Sequence, residues 1–288
     1  MTVGGSTLGG SGKTRVALAC ARELASHGAN VVLIGHAYRA SPRSARVVTA
    51  DDAVEDAGDE ALACARELAH ASAAGCTSSA GVRVVVAPSR QAAVDLALAL
   101  TPRASALVLD GPLQLSPVRS SLSILALDAA APWGAGAAPP AGDLRASPEA
   151  LLAHADHVVH VDAAPRLVRV GSSRAVELTE LASSFAGARL GLFTALARPE
   201  RLRRALAAAG LDPSETVRAA DHGPLTPDLA RLLVAANSRV DLWLATSKCS
   251  LHLEAVQLGE RLAILDGSLV LPSATAVRLA QLVRSGAA

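Results

Sequence analysis

The chain has 288 residues, 51% hydrophobic, 18% charged and 2% aromatic, with 27 Lys+Arg against 26 Asp+Glu for a formal charge of +1. This length builds one large α/β domain or two modest ones. The hydrophobic fraction excludes disorder, and no run of about 18 apolar residues is free of charge, which excludes an evident membrane span. The near-neutral balance excludes a generically basic nucleic-acid coat, so any anion must be held by a local site.

Residues 2–3 read as a short strand leading into a glycine loop, and 13–27 as an amphipathic helix stopped by Gly28. Strand and helix then alternate. Strands are expected at 31–34, 82–86, 106–110, 123–127 and 157–161, with helices at 59–72 and 90–100. This alternation is the pattern of a parallel sheet covered on both faces. The Pro/Gly/Ala-rich stretch 129–142 carries Trp133 and reads as an ordered loop. Residues 166–170 and 174–178 flank Gly171-Ser172-Ser173, a two-stranded hairpin signal. Beyond it, strands are expected at 189–194, 216–219, 241–245 and 261–265, and helices at 199–209, 226–237 and 274–285. The reading is two α/β lobes joined by the hairpin, with a cleft between them.

Cys20, Cys64, Cys76 and Cys249 lack CxxC spacing, which argues against a zinc site or a disulfide framework. The first twelve residues carry no basic leader, so the expected setting is cytosolic. Only Lys13 and Lys248 are lysines among the 27 basic residues. Arginine does not replace lysine where a compact ammonium is needed, which singles out Lys13.

Gly9-Gly10-Ser11-Gly12-Lys13-Thr14 is the strongest chemical signal. Glycines let successive N–H groups turn toward phosphate oxygens, and the helix opening at Lys13 adds its dipole. Lys13 would reach the β- and γ-phosphates of a nucleotide, and the Thr14 hydroxyl would ligate Mg²⁺. The strict GxxxxGK[ST] pattern is missed at one place, where Thr7 takes the first glycine position. Asp110 closes an apolar strand, as a Walker B carboxylate would to hold Mg²⁺. Together the two features imply binding of a nucleotide with Mg²⁺. Partitioning ATPases carry a signature lysine ahead of the double glycine; this chain has Leu8.

Residues 3–14 resemble the loop of the tetraacyldisaccharide 4'-kinases, the lipid A 4'-kinases, which also lack the first Walker glycine. Gly35-His36-Ala37-Tyr38-Arg39 resembles the family's SRGYG-like run, Gly58-Asp59-Glu60 its GDE, and Asp110-Gly111-Pro112-Leu113-Gln114 its DDGxQ. Leu127-Asp128 and Pro132-Trp133-Gly134-Ala135-Gly136 follow in order, and Pro140-Ala141-Gly142-Asp143-Leu144-Arg145 is similar to LPAGxLRE. In the second half, Ala197-Arg198-Pro199-Glu200-Arg201 is similar to ARPERF, Asp221-His222 to PDH, and Thr246-Ser247-Lys248 to TEKD. The resemblance implies two P-loop-type α/β/α lobes joined by a two-stranded linker, with a nucleotide-binding lobe over 1–163, the linker over 164–180 and a smaller lobe over 181–288. It further implies transfer of the γ-phosphoryl of ATP to the 4'-hydroxyl of a lipid-linked disaccharide at the cytoplasmic face of the inner membrane. Asp59 would be the catalytic residue that takes the sugar hydroxyl proton, helped by His222, with Tyr38 and Arg145 lining the nucleotide or acceptor side. No nucleic acid and no obligate protein partner are implied.

Read without the resemblance, Asp59 is a helix N-cap, His222 a turn histidine and Arg145 a solvated surface residue. The chain departs from the family at four places: the phosphate loop begins a few residues after Met1, where members usually begin with an apolar segment; Gly111 replaces the second Asp; Leu115 replaces a histidine; and Ser247 and Cys249 replace acidic residues. These departures keep two alternatives open, a nucleotide-binding paralogue with a regulatory role, and a kinase for another sugar or lipid. The loop 131–140, with Trp133 exposed, is a candidate membrane contact; the alternative is that Trp133 packs against the lobe.

Overall fold

Strands covered on both faces have no solvent side to encode, so they appear in the sequence as short unbroken apolar runs. The computed structural model describes residues 1–37, 40–73, 75, 81–116, 119–162, 164–170, 175–267 and 269–286. Tyr38, Arg39, Cys76 and the expected turn 171–174 lie outside the described residues. The chain divides into two compact units, Met1–Asp162 with Leu269–Ala288, and Ala163–Ser268.

The first unit is built on β1 (Thr2–Gly5), β2 (Val31–Ile34), β3 (Arg46–Val48), β4 (Val82–Val86), β5 (Ala106–Gly111), β6 (Ser123–Asp128) and β7 (His157–Val161). They form one sheet in the order β3-β4-β2-β5-β1-β6-β7. All neighbours are parallel except β3, which pairs antiparallel with β4 at the edge. Its helices are α1 (Lys13–Ser26), α2 (Val54–Ala57), α3 (Asp59–Ala73), α4 (Arg90–Ala99) and α5 (Pro148–Ala153). Helix α1 buries Val16, Ala17, Cys20, Ala21 and Leu24, the spacing of one helical face. Gly28, with φ 87°, follows its end in the left-handed conformation that closes a helix. Ser89 and Ser147 cap α4 and α5 by accepting from the Ala92 and Ala150 amides.

Because β1 lies between β5 and β6, its carboxyl end opens in the middle of the sheet edge. In open α/β sheets ligands bind there, beside helix N-termini.

The second unit holds β8 (Leu167–Val170), β9 (Val176–Glu177), α6 (Leu178–Ser184), β10 (Leu190–Thr194), α7 (Pro199–Ala208), β11 (Glu215–Arg218), α8 (Pro227–Ala236), β12 (Leu242–Thr246), α9 (Ser247–Ser250) and β13 (Leu262–Asp266). Its sheet runs β11-β10-β12-β13-β8-β9, parallel up to β13 and antiparallel beyond. One core layer gathers Val168, Leu181, Leu192, Leu206 and Leu244. The other gathers Phe193, Val217, Leu233, Trp243 and Cys249.

The structure departs from the sequence reading at definite points. The last helix, α10 (Ser273–Ser285), belongs to the first unit, where it packs on α1. Thr275 Oγ1 lies 3.3 Å from His157 Nδ1 there. The two-stranded ribbon β8–β9 is continuous with the second sheet, since β8 also pairs with β13. Strand β9 stops at Glu177 because Leu178 and Leu181, three residues apart, turn into the core as the first turn of α6.

Candidate active site

The loop between β1 and α1 is shaped by its small residues. Gly10 and Gly12 take φ of 76° and 79°, a region closed to most side chains. A Cβ on Gly12 would also lie 2.6 Å from Val161 Cγ1, and one on Gly5 would lie 1.9 Å from Ser11 Oγ. The loop is stitched to the segment ahead of α5. Leu8 N donates to Asp143 O at 2.9 Å, and Arg145 N donates to Ser6 O at 2.9 Å. Arg145 Nε donates to Thr7 O at 3.0 Å. Arg145 is therefore a brace for the loop backbone rather than a purely solvated residue. Thr7, in the place of the first glycine, is buried and donates its hydroxyl to Gly9 O at 2.7 Å. A side chain is accommodated at that position because its hydroxyl closes the turn locally.

Gly12 is the N-cap of α1, so Lys13 and Thr14 open the helix with its amide ends facing the loop. Thr14 Oγ1 donates to Asp110 Oδ2 at 2.6 Å. Asp110 Oδ1 is buried and has no hydrogen-bond partner among the described residues. Burial drives the Asp110 carboxyl up to about 6, against the pull of Lys13 and the Thr14 hydrogen bond; Glu60 adds to the rise. A buried carboxylate oxygen without a donor is costly, and a hydrated Mg²⁺ fits it, since that ion takes one or two carboxylates and keeps waters. Asp110 and Thr14 are thus suited to hold it.

Lys13 Nζ lies 3.7 Å from Glu60 Oε2, each side chain 16% exposed. Burial works against the Lys13 charge, but Asp110 and Glu60 outweigh it and raise its pKa. Glu60 and the neighbouring Asp59 open α3, and Asp59 is 3% exposed. Asp59 is the first helical residue, so it does not occupy the cap position. Gly58, with φ 80°, precedes it. The start of α3 approaches the end of β2 closely, since a Cβ on Gly35 would meet Ala61 Cβ at 3.0 Å. This brings Asp59 and Glu60 to the sheet edge that carries the phosphate loop.

The comparisons with known proteins agree with this geometry. Residues 1–284 match the model of the LpxK family, tetraacyldisaccharide-1-P 4'-kinase. This chain belongs to that family. A tetraacyldisaccharide 4'-kinase of Anaeromyxobacter dehalogenans (strain 2CP-C) is 31% identical over 297 residues, 93% of this chain and 74% of the relative. One from Bradyrhizobium diazoefficiens is 31% identical over 258 residues, 85% of this chain and 72% of the relative. A crystal structure of LpxK from Aquifex aeolicus in complex with ATP matches the fold with a TM-score of 0.70 at 20% identity, covering 100% of this chain and 88% of that one. Membership makes this chain a kinase.

Several departures from the tetraacyldisaccharide 4'-kinase pattern have structural reasons. Gly111 has φ 117°, and a Cβ there would meet Arg90 Nη2 at 3.2 Å, so Arg90 covers the place of the second Asp side chain. Cys249 is fully buried and accepts from the Ala195 amide at 3.2 Å. Leu115 packs against the core layer of Val32, Ile34 and Leu109.

The remaining site residues are distributed as follows. Tyr38 lies outside the described residues. His222 belongs to the second unit, where its Nε2 lies 3.0 Å from Lys248 Nζ and 3.8 Å from Asp221 Oδ1. Of the two readings of Trp133, the structure has the packed one and not the exposed one. The residue is half-buried and packs against Leu125, Leu127 and Leu151, because two amides of its loop are tied to Asp128 Oδ1. Sequence reasoning gave no individual role to Glu60, Arg90 or Lys248. Glu60 was visible beside Asp59, and Lys248 as one of two lysines; Arg90 carried no signal, since its neighbour Gly111 is distant in sequence.

Proposed function

We propose that this chain transfers the γ-phosphoryl of ATP to the 4'-hydroxyl of a tetraacyldisaccharide 1-phosphate, the lipid A precursor. The loop amides and Lys13 bind the β- and γ-phosphates, and Lys13 neutralises charge that builds on the transferring group. Asp110 and Thr14 would hold Mg²⁺, which supplies further screening of phosphate charge. Asp59, beside Glu60 at the start of α3, takes the proton of the attacking hydroxyl, and His222 takes part in the transfer. Arg145 keeps the loop in register through the Thr7 carbonyl.

One observation carries this reading: Lys13, Thr14, Asp110 and Glu60, from three separate stretches of chain, converge at the carboxyl end of β1 and β5. Because the acceptor is a lipid, the chain works at a membrane surface, on its cytoplasmic side. None of the described helices is long and apolar enough to cross a membrane, and the contact proposed is peripheral. The alternative of a nucleotide-binding paralogue has no observation in its favour.

The test is an assay with γ-labelled ATP and tetraacyldisaccharide 1-phosphate in mixed micelles. Label appears in the lipid for the parent chain. In Asp59→Ala it falls at least about 10²-fold while nucleotide affinity is kept. Tight Mg-ATP binding without transfer in the parent refutes the proposal.

A further inference from the structure

Lys248 and His222 form a second polar cluster whose chemistry is set by which atom donates. Lys248 Nζ and His222 Nε2 are 3.0 Å apart, with side chains 17% and 12% exposed. A lysine ammonium has three donors and no acceptor. It therefore donates, and Nε2 must accept through its lone pair. A neutral imidazole has one proton, so that proton sits on Nδ1. Asp221 Oδ1, at 3.8 Å from Nε2 and 3.9 Å from Lys248 Nζ, is too far to take a proton from either nitrogen directly.

Two independent features show that this contact is built. His222 has φ 53°, in the left-handed region that a residue with a Cβ occupies at a cost. Its amide donates to Ala195 O at 3.3 Å, which fixes the turn. On the other side, Lys248 is the second residue of α9, whose start is capped by Thr246 Oγ1 accepting from the Cys249 amide at 3.3 Å. Cys249 is itself fully buried. Lys248 is also one of two lysines in a chain that otherwise uses arginine. The other, Lys13, sits in the phosphate loop. An arginine fork would present two spread donors where one compact donor meets one ring nitrogen.

From this geometry we infer that Lys248 is a positioning residue that fixes His222 in the Nδ1–H tautomer, with Nε2 accepting from the Lys248 ammonium. This deepens the proposed function, in which His222 takes part, and rests on it: Lys248 decides which ring nitrogen of His222 donates. The tautomer statement itself needs no substrate.

The test is two-bond ¹H–¹⁵N spectroscopy on the full chain labelled at histidine, above neutral pH and without nucleotide or acceptor. Loss of one signal set in His222→Gln assigns it. The parent gives the pure Nδ1–H pattern, Lys248→Arg keeps it, and Lys248→Met converts it to a mixture with the Nε2–H form. In the lipid assay Lys248→Met lowers kcat about tenfold or more with KM for ATP unchanged, and Lys248→Arg recovers part of the loss. A parent spectrum with Nε2–H overturns the inference even if every variant fails to fold. So does a Lys248→Met spectrum identical to the parent. If the parent transfers no phosphate but the spectra behave as stated, the kinase reading fails and the tautomer assignment stands.

Discussion

Replacing Asp110 by Asn separates what this carboxylate does for folding from what it does for nucleotide binding. The unfolded carboxyl ionises near 3.8 and the folded one at about 6, raised first by burial and opposed by Lys13. Between those values the folded chain holds a proton that the unfolded chain has lost, so stability falls as pH rises through the window and levels off above it. The distance between them corresponds to about 3 kcal/mol against the ionised form. Asn keeps an acceptor for Thr14 but has no charge to desolvate. The stability gap between Asp110→Asn and the parent therefore grows by up to about 3 kcal/mol from acid to alkaline pH, roughly half of it between pH 5 and 8. Urea titrations followed by Trp133 fluorescence measure it, in a Trp243→Phe background so that only the first unit is read. Saturating Mg-ATP, at about 100 times its Kd, stabilises the parent by about 2.7 kcal/mol and the Asn variant hardly at all. A gap that stays constant with pH, or that closes as pH rises, refutes the reasoning.

Three further outcomes follow from the same geometry. Lys13→Met lowers kcat/KM about 10²–10³-fold and removes the charge that Glu60 and Asp110 face, measured with labelled ATP and the lipid acceptor. Gly12→Ala combines a left-handed backbone with a 2.6 Å clash on Val161; it costs about 2–4 kcal/mol in thermal melts, part of which Val161→Ala returns. Trp133→Ala lowers the stability of the first unit by about 2 kcal/mol in urea melts followed by circular dichroism, and leaves vesicle sedimentation unchanged, since the ring packs on Leu125, Leu127 and Leu151.

What was legible in the sequence was local. The phosphate loop, its helix and the terminal Asp of β5 are encoded in neighbouring residues, because glycine conformation, helix start and buried-strand composition are short-range properties. The strands were legible for the same reason, as unbroken apolar runs. The 3-residue edge strand β3 was not, since Arg46-Val47-Val48 is too short to set a period. Nor was the short α5, which gains its place from Leu151 packing against Leu125 and Leu127.

The amino-acid order alone determined that this protein has a triphosphate loop, two α/β units and family motifs in order along its length. Only the tertiary structure decided which charges meet. Thr14 reaches Asp110 across 96 positions because β1 and β5 are neighbours in the sheet. Lys13 meets Glu60 because α3 starts where β2 ends, and Lys248 meets His222 because a strained turn faces a capped helix start. The last helix returns to the first unit for the same kind of reason: its apolar face, with Leu279 and Leu282 buried, finds its partner on α1. Pairings of this kind depend on sheet order and burial, which no local stretch of residues contains.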